Sequence, residues 1–285
     1  MMEHRADNYE CVKKYPMMKG YLEHFKQVSI NNEIPGLISF FFILGQVAVP
    51  YVRIPIWESN IDPRVNMFWI QGTRTGKSAA YQIIEKILKE TGLNSVDCNS
   101  VNDAALVGTL VPDPDFDGAT RDAPQIVREG LLGGRKGLNF DEGSVILKSG
   151  QHNENTTLYL QSALNSAGTG RNYLTKHMAR DTFTIKSEVS LWITTYPPKG
   201  VKEYVLTKGI FQRVLLYWAH WDTDRRKKVS RRRVRRAFTK PKPSEVSYDD
   251  IVTYFTDLEK RLRDRVLNLS ETTFTEWDEM DREDQ

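Results

Sequence analysis

Cysteine is almost missing from this sequence. Two occur, Cys11 and Cys98, far apart and without metal-ligand spacing, which excludes a disulfide-stapled fold, argues against a zinc site and leads us to expect a reducing, cytoplasmic compartment. Long hydrophobic runs are missing too. The most apolar stretch, Ile34 to Val49 (IPGLISFFFILGQVAV), contains Gln46 and stops at Pro50; its sixteen residues fall short of the roughly 20 that span a bilayer, so a buried helix at about 36 to 48 and no membrane association are expected. The first ten residues, MMEHRADNYE, carry acids and no apolar core, unlike a secretory signal. No internal repeat is present. What remains is a globular composition, 40% hydrophobic, 27% charged and 11% aromatic over 285 residues, enough to bury a sizeable core in one large α/β domain with decorations.

The formal charge of +3 hides an uneven distribution. Residues 225 to 242 hold eleven Lys/Arg and no acid, and without them 29 basic residues face 37 acidic ones. A mildly acidic protein with one concentrated basic segment is the pattern of a local polyanion contact.

Along the chain, an amphipathic stretch around Tyr21, Phe25 and Val28 reads as a leading helix, followed by the buried helix. Val65 to Gln71 (VNMFWIQ) reads as a strand, and KSAAYQIIEKILKE, with Ile83, Ile84, Ile87 and Leu88 at helical spacing, as a helix. Residues 92 to 136, rich in Pro, Asp and Gly, are expected to form loops and short helices. Then come a strand at Gly137 to Gly143 (GLNFDEG), a helix at about 155 to 165, the turn SAGTGRN, and two β runs, Phe183 to Ile185 and Val189 to Thr195. Gly209 to Trp221 is expected to continue the core. A Ser247-capped amphipathic helix carries Ile251, Tyr254, Phe255, Leu258, Leu262, Val266 and Leu269 on one face, and the last fifteen residues read as the start of a second helix.

Gln71 to Ser78, QGTRTGKS, lies between that strand and that helix. Gly72, Thr73, Arg74, Thr75 and Gly76 would let the backbone curl so that successive N–H groups face a phosphate at a helix N-terminus. Lys77 would add a point charge toward the β/γ-phosphates and Ser78 a Mg²⁺ ligand. The usual glycine five residues before the Gly-Lys pair is here Gln71. The plain alternative is a glycine turn before a helix with Lys77 solvated.

LNFD followed by Glu142 puts two adjacent carboxylates at a strand end, and looks like a Walker B motif. Asp141 would hold Mg²⁺, usually through water, and Glu142 would polarise the attacking water. A solvated turn is the alternative for such a pair in isolation. Thr195, closing LWITT, is either a polar residue placed to sense a γ-phosphate or simply the end of a strand. Arg213 stands among apolar neighbours, where a guanidinium needs an anion; it is either a finger toward a neighbouring subunit's ATP or half of an internal salt bridge.

GTRTGKS at 72 to 78, NFDEG at 139 to 143, ITTYPP at 193 to 198 and FQRVLLY at 211 to 217, in that order, resemble virus- and plasmid-encoded replicative helicase ATPases: superfamily-three helicases and the helicase halves of primase-helicases. The resemblance covers roughly residues 35 to 220. It implies a three-layer αβα P-loop NTPase core of the additional-strand (AAA+/RecA-like) class with helical flanks. It also implies ATP and Mg²⁺ as cofactors, and a translocase on single-stranded DNA in a homo-oligomeric, hexameric ring. The expected organisation is a helical flank at 1–60, the ATPase core at 61–221, a basic arm and linker at 222–246 and a helical segment at 247–285.

For DNA contact, the basic segment offers Arg225, Arg226, Arg231, Arg232, Arg233, Arg235 and Arg236 on an arm expected to be flexible, with a solvated surface segment as the alternative. Arg171, Lys176 and Arg180, in the expected turn 167 to 180, would face a ring's channel, with Tyr173 or His177 stacking; an ordinary exposed turn is the competing reading. Two other functions stay open: a DNA-binding loader or packaging factor that uses ATP as a switch, and a small-molecule kinase, in which Glu142 has no obvious role.

Overall fold

The computed structural model describes residues 12, 14–29, 33–56, 59–98, 102–116, 123–147, 153–166, 169–178, 181–197, 210–224, 227, 229, 231, 234, 238 and 245–264. In chain order the elements are α1 (Pro16–Val28), α2 (Glu33–Ala48), β1 (Ile54–Ile56), β2 (Ser59–Ile61), β3 (Met67–Gln71), α3 (Lys77–Glu90), β4 (Asn94–Asp97), α4 (Asp103–Leu106), β5 (Gly108–Pro112) and β6 (Gln125–Glu129). They continue with β7 (Lys136–Phe140), α5 (Ser144–Leu147), α6 (Asn153–Ala163), β8 (Tyr173–His177), β9 (Thr182–Lys186), β10 (Ser190–Thr195), β11 (Leu215–Ala219) and α7 (Tyr248–Asp264).

The centre is a five-stranded sheet in the order β11-β3-β10-β7-β4, parallel at every pairing. Helices cover both faces, which is why β3 and β10 are buried throughout instead of alternating between a buried and an exposed face. All five residues of β3 and all six of β10 are buried. On one face Met67, Trp69 and Trp192 pack with α1, α2, α3 and α7 through Phe25, Phe42, Ile84 and Phe255. On the other, Phe68, Ile70, Phe140 and Ile193 pack with Ile146, Leu160 and the β8–β9 hairpin.

Helix α2 is sunk deeply enough that its polar residues need internal partners. Gln46 Nε2 donates to Ser190 Oγ (2.6 Å), and Ser39 Oγ shares a 2.7 Å hydrogen bond with Tyr21. Gly45 is required by close approach, since a Cβ there would lie 2.4 Å from the Pro63 carbonyl. At the end of α2, Arg135 donates to the carbonyls of Gln46 and Val47, both at 2.8 Å, satisfying two groups the helix leaves orphaned. The same guanidinium meets Glu259 on α7, which also accepts from Tyr51 (2.9 Å) and Arg263. Ser247 and Asp250 form a reciprocal cap at the start of α7.

At the amino edge of the sheet, Arg64 is the joint. Nε and Nη2 form a fork on Asp62 (2.9 and 3.0 Å), and the remaining N–H groups reach the carbonyls of Ala163 (3.1 Å), Asn165 (2.6 Å) and Val189 (2.9 Å). All five donors are used, with both side chains of the ion pair nearly inaccessible.

Several expectations are corrected. The stretch 92 to 136 contains β4, α4 and the antiparallel pair β5–β6, not only loops and short helices. β4 (NSVD) is an edge strand and every residue of β6 is exposed, so neither carries an apolar pattern. The expected turn at 167 to 180 includes a strand, β8, paired with β9. β11 lies at the sheet edge with Leu215, Leu216 and Trp218 more than half exposed, so it continues the sheet without being enclosed by the core. In the basic segment, Lys227, Val229, Arg231 and Val234 have helical backbone and Val229 is buried against Trp221, which a free arm would not allow. Cys98 is buried, whereas Cys11, Val266, Leu269 and the last fifteen residues lie outside the described residues. Among the described residues no helix is long and apolar enough to cross a membrane.

Arg64→Leu leaves Asp62 buried without its partner and three carbonyls without donors. The unfolding free energy is expected to fall by about 3 kcal/mol or more, read from urea denaturation midpoints at constant slope. A loss below about 1 kcal/mol would mean that water replaces the guanidinium.

Candidate functional site at the carboxyl edge of the sheet

Three strands end side by side. β10 is hydrogen-bonded to β3 through Thr195↔Ile70 and to β7 through Ile193↔Phe140. The loop after β3, the acids after β7 and the threonines of β10 therefore meet at one edge.

The loop turns tightly. Arg74 has φ +58° and Gly76 φ +86°, a left-handed conformation at the N-cap of α3, where Gly76 offers no side chain to occupy the first-turn N–H groups. Thr75 Oγ1 donates to the Gly72 carbonyl (3.0 Å), and Ser29 Oγ donates to Gly76 (3.2 Å) from the α1–α2 junction. Thr73 and Arg74 are exposed. Gln71 accounts for its own departure from the usual motif: its side chain is buried and accepts from Trp69 Nε1 at 2.8 Å, so it is committed to the sheet.

Lys77 is buried at 7% exposure. Its Nζ donates to the carbonyls of Gln71 (2.7 Å) and Gly72 (2.9 Å), and the Tyr196 ring centroid lies 4.5 Å away. Burial lowers its pKa to about 8, against the opposing pull of Asp141 and Glu142. Ser78 Oγ donates to Asp141 Oδ1 at 2.8 Å. Thr194 Oγ1 reaches the Asp141 carbonyl (2.9 Å) and Oδ1 (3.2 Å), and Thr195 Oγ1 donates to Glu142 Oε1 (3.2 Å). Both acids are exposed, while both threonines are buried. Carboxylates that face solvent, steered from below by fixed hydroxyls and beside a buried ammonium, can hold a cation and orient a water next to an anion.

Lys77, Ser78, Asp141, Glu142 and Thr195 are thus brought together. Arg213 is not: it precedes β11, whose Leu215 pairs with Met67 at the start of β3, on the opposite edge. Its Nε donates to Asn165 Oδ1 (3.1 Å). The β8–β9 hairpin precedes the start of β10. There Lys176 Nζ donates to the Gly108 carbonyl (2.8 Å), and His177 Nδ1 lies 3.1 Å from Thr182 Oγ1. Arg171 and Tyr173 are exposed. Arg180, Arg225, Arg226, Arg232, Arg233, Arg235 and Arg236 lie outside the described residues; Arg231 is exposed. Thr194 and Tyr196, which flank Thr195 in ITTYPP, are site residues to which the sequence alone assigns no functional role.

No protein-family model matches the chain, and no curated protein does.

One titration tests the geometry. The folded chain binds the Lys77 proton less tightly than the unfolded chain, whose lysine has the ordinary value of 10.5. The group therefore opposes folding below about pH 8, and that opposition fades as pH rises toward 10.5. NMR of ¹³Cε-labelled lysine is expected to show one resonance titrating near pH 8 and missing from Lys77→Ala. Titration of every lysine near 10.5 would contradict the burial of Lys77.

Proposed function

We propose that this protein is a Mg²⁺-dependent ATPase with a P-loop core of the additional-strand class, acting as a translocase or helicase on DNA. The observation that carries the reading is the meeting of Lys77 and Ser78 with Asp141 and Glu142 across β10, in a parallel sheet ordered β11-β3-β10-β7-β4. β10, between the loop strand and the acidic strand, is the additional strand in this reading. It supplies the two threonines that orient the acids.

The oxygens fit a magnesium ion. Ser78 Oγ and Asp141 Oδ1 are hard oxygen donors of the kind such an ion takes, and the hydrogen bond between them holds the two side by side. When bound, the ion would neutralise phosphate charge. Ser78 and Asp141 would hold it, directly or through water, while Lys77 would meet the phosphates. Glu142, aimed by Thr195, would take a proton from the attacking water. Within one chain Arg213 is remote from this chemistry, so its role in the reading is toward the nucleotide of a neighbouring copy in a ring. DNA contact rests on the eleven basic residues of 225 to 242.

Phosphate release with and without single-stranded DNA tests this. Lys77→Ala is expected to abolish nucleotide binding and turnover. Glu142→Gln should keep Mg–ATP binding while losing turnover by ~10²-fold or more. Hydrolysis surviving in Lys77→Ala would defeat the site. Turnover indifferent to DNA, with ATP-dependent association to a protein partner, would favour a loader or assembly switch.

A further inference from the structure

Lys77 has three N–H donors and no more. Two of them are directed at the carbonyls of Gln71 and Gly72, and the face of the Tyr196 ring takes a further side of the ammonium at 4.5 Å. A phosphate oxygen can reach the charge only by replacing one of these. The two carbonyls belong to the loop itself. Tyr196 directly follows β10: Thr195 pairs with Ile70, and the Tyr196 ring reaches across to the loop at Lys77.

We infer that Tyr196 is an intramolecular competitor for the Lys77 ammonium, a positioning residue that sets the loop's phosphate affinity. The inference rests on the nucleotide reading above and specifies how that site is regulated from within the chain. The backbone from which Tyr196 springs is anchored, because Thr194 and Thr195 are buried and bonded to Asp141 and Glu142. Tyr196 is 46% exposed, so its side chain can rotate into solvent without disturbing the core. A half-exposed cation–π contact is worth roughly a two- to fivefold factor in a competing equilibrium. Phenylalanine, with the same ring face and no hydroxyl, competes as tyrosine does. Alanine does not.

The test uses the full chain and magnesium with a non-hydrolysable ATP analogue. Tyr196→Ala is expected to bind about two- to fivefold more tightly than wild type, and Tyr196→Phe to stay with wild type. Without nucleotide, the Lys77 ε-methylene signals, identified by their loss in Lys77→Ala, should be shifted upfield by the ring in wild type and Tyr196→Phe and should return downfield in Tyr196→Ala. A binding constant in Tyr196→Ala equal to or weaker than wild type overturns the competitor and leaves the nucleotide reading standing. Absence of analogue binding in all three proteins, with the upfield shift present, overturns the nucleotide reading and the competitor together.

Discussion

The pairing of β10 between β3 and β7 is the constraint from which the rest follows. Parallel strands share a direction, so residues that leave the sheet at its carboxyl edge emerge as neighbours however far apart they stand in the chain. The Ser78–Asp141 hydrogen bond links residues 63 positions apart, and Thr195–Glu142 links residues 53 apart. Neither pair is made by local structure. Both depend on the register Thr195↔Ile70 and Ile193↔Phe140, and a slip of one residue would turn Trp192 and Ile193 to the wrong faces. The core thus enforces the site geometry: Trp192 fits only the face it shares with Phe42 and Trp69, at ring separations of 5.6 and 6.3 Å.

The two edges of the sheet are built differently. At the amino edge Arg64 spends every donor inside the protein, joining the end of α6 to the approach to β10. At the carboxyl edge the charged groups Asp141 and Glu142 face solvent, while Lys77, Thr194 and Thr195 lie buried beside them. A saturated polar joint gives rigidity; exposed, oriented charges give a place where something can bind.

Legibility in the sequence follows this division between local and long-range causes. Helix α3 matches its expected segment from Lys77 to Glu90 because glycine punctuation and helical periodicity are both local signals. β3, β7 and β10 were visible as apolar runs ending in turn residues or acids. β4 and β6 were hidden because an edge strand such as NSVD and an exposed one such as QIVRE have no buried face to impose a pattern. β11 carried the opposite illusion: Leu215, Leu216 and Trp218 read as interior, yet edge position leaves them exposed. Arg64 left no trace, since three of its partners are backbone carbonyls about a hundred residues away. Tyr196 carries no local signal for the same reason, because its meeting with Lys77 exists only through the strand register.

Charge balance at the carboxyl edge narrows what the site can accept. One lysine, weakened as a cation by burial, faces two carboxylates. A bare polyphosphate brought there would meet the loop N–H groups and Lys77 on one side and the two carboxylates on the other. Under the proposed reading Ser78 and Asp141 would hold a small divalent ion, whose charge would offset that of the carboxylates toward the phosphates. The two components would then bind together far better than either alone, each supplying the charge the other lacks. Under the proposed reading this coupling explains why the acids remain exposed while the lysine is buried. The lysine must be held to a shape, and the acids must stay reachable to take up an ion that arrives from solvent with its nucleotide.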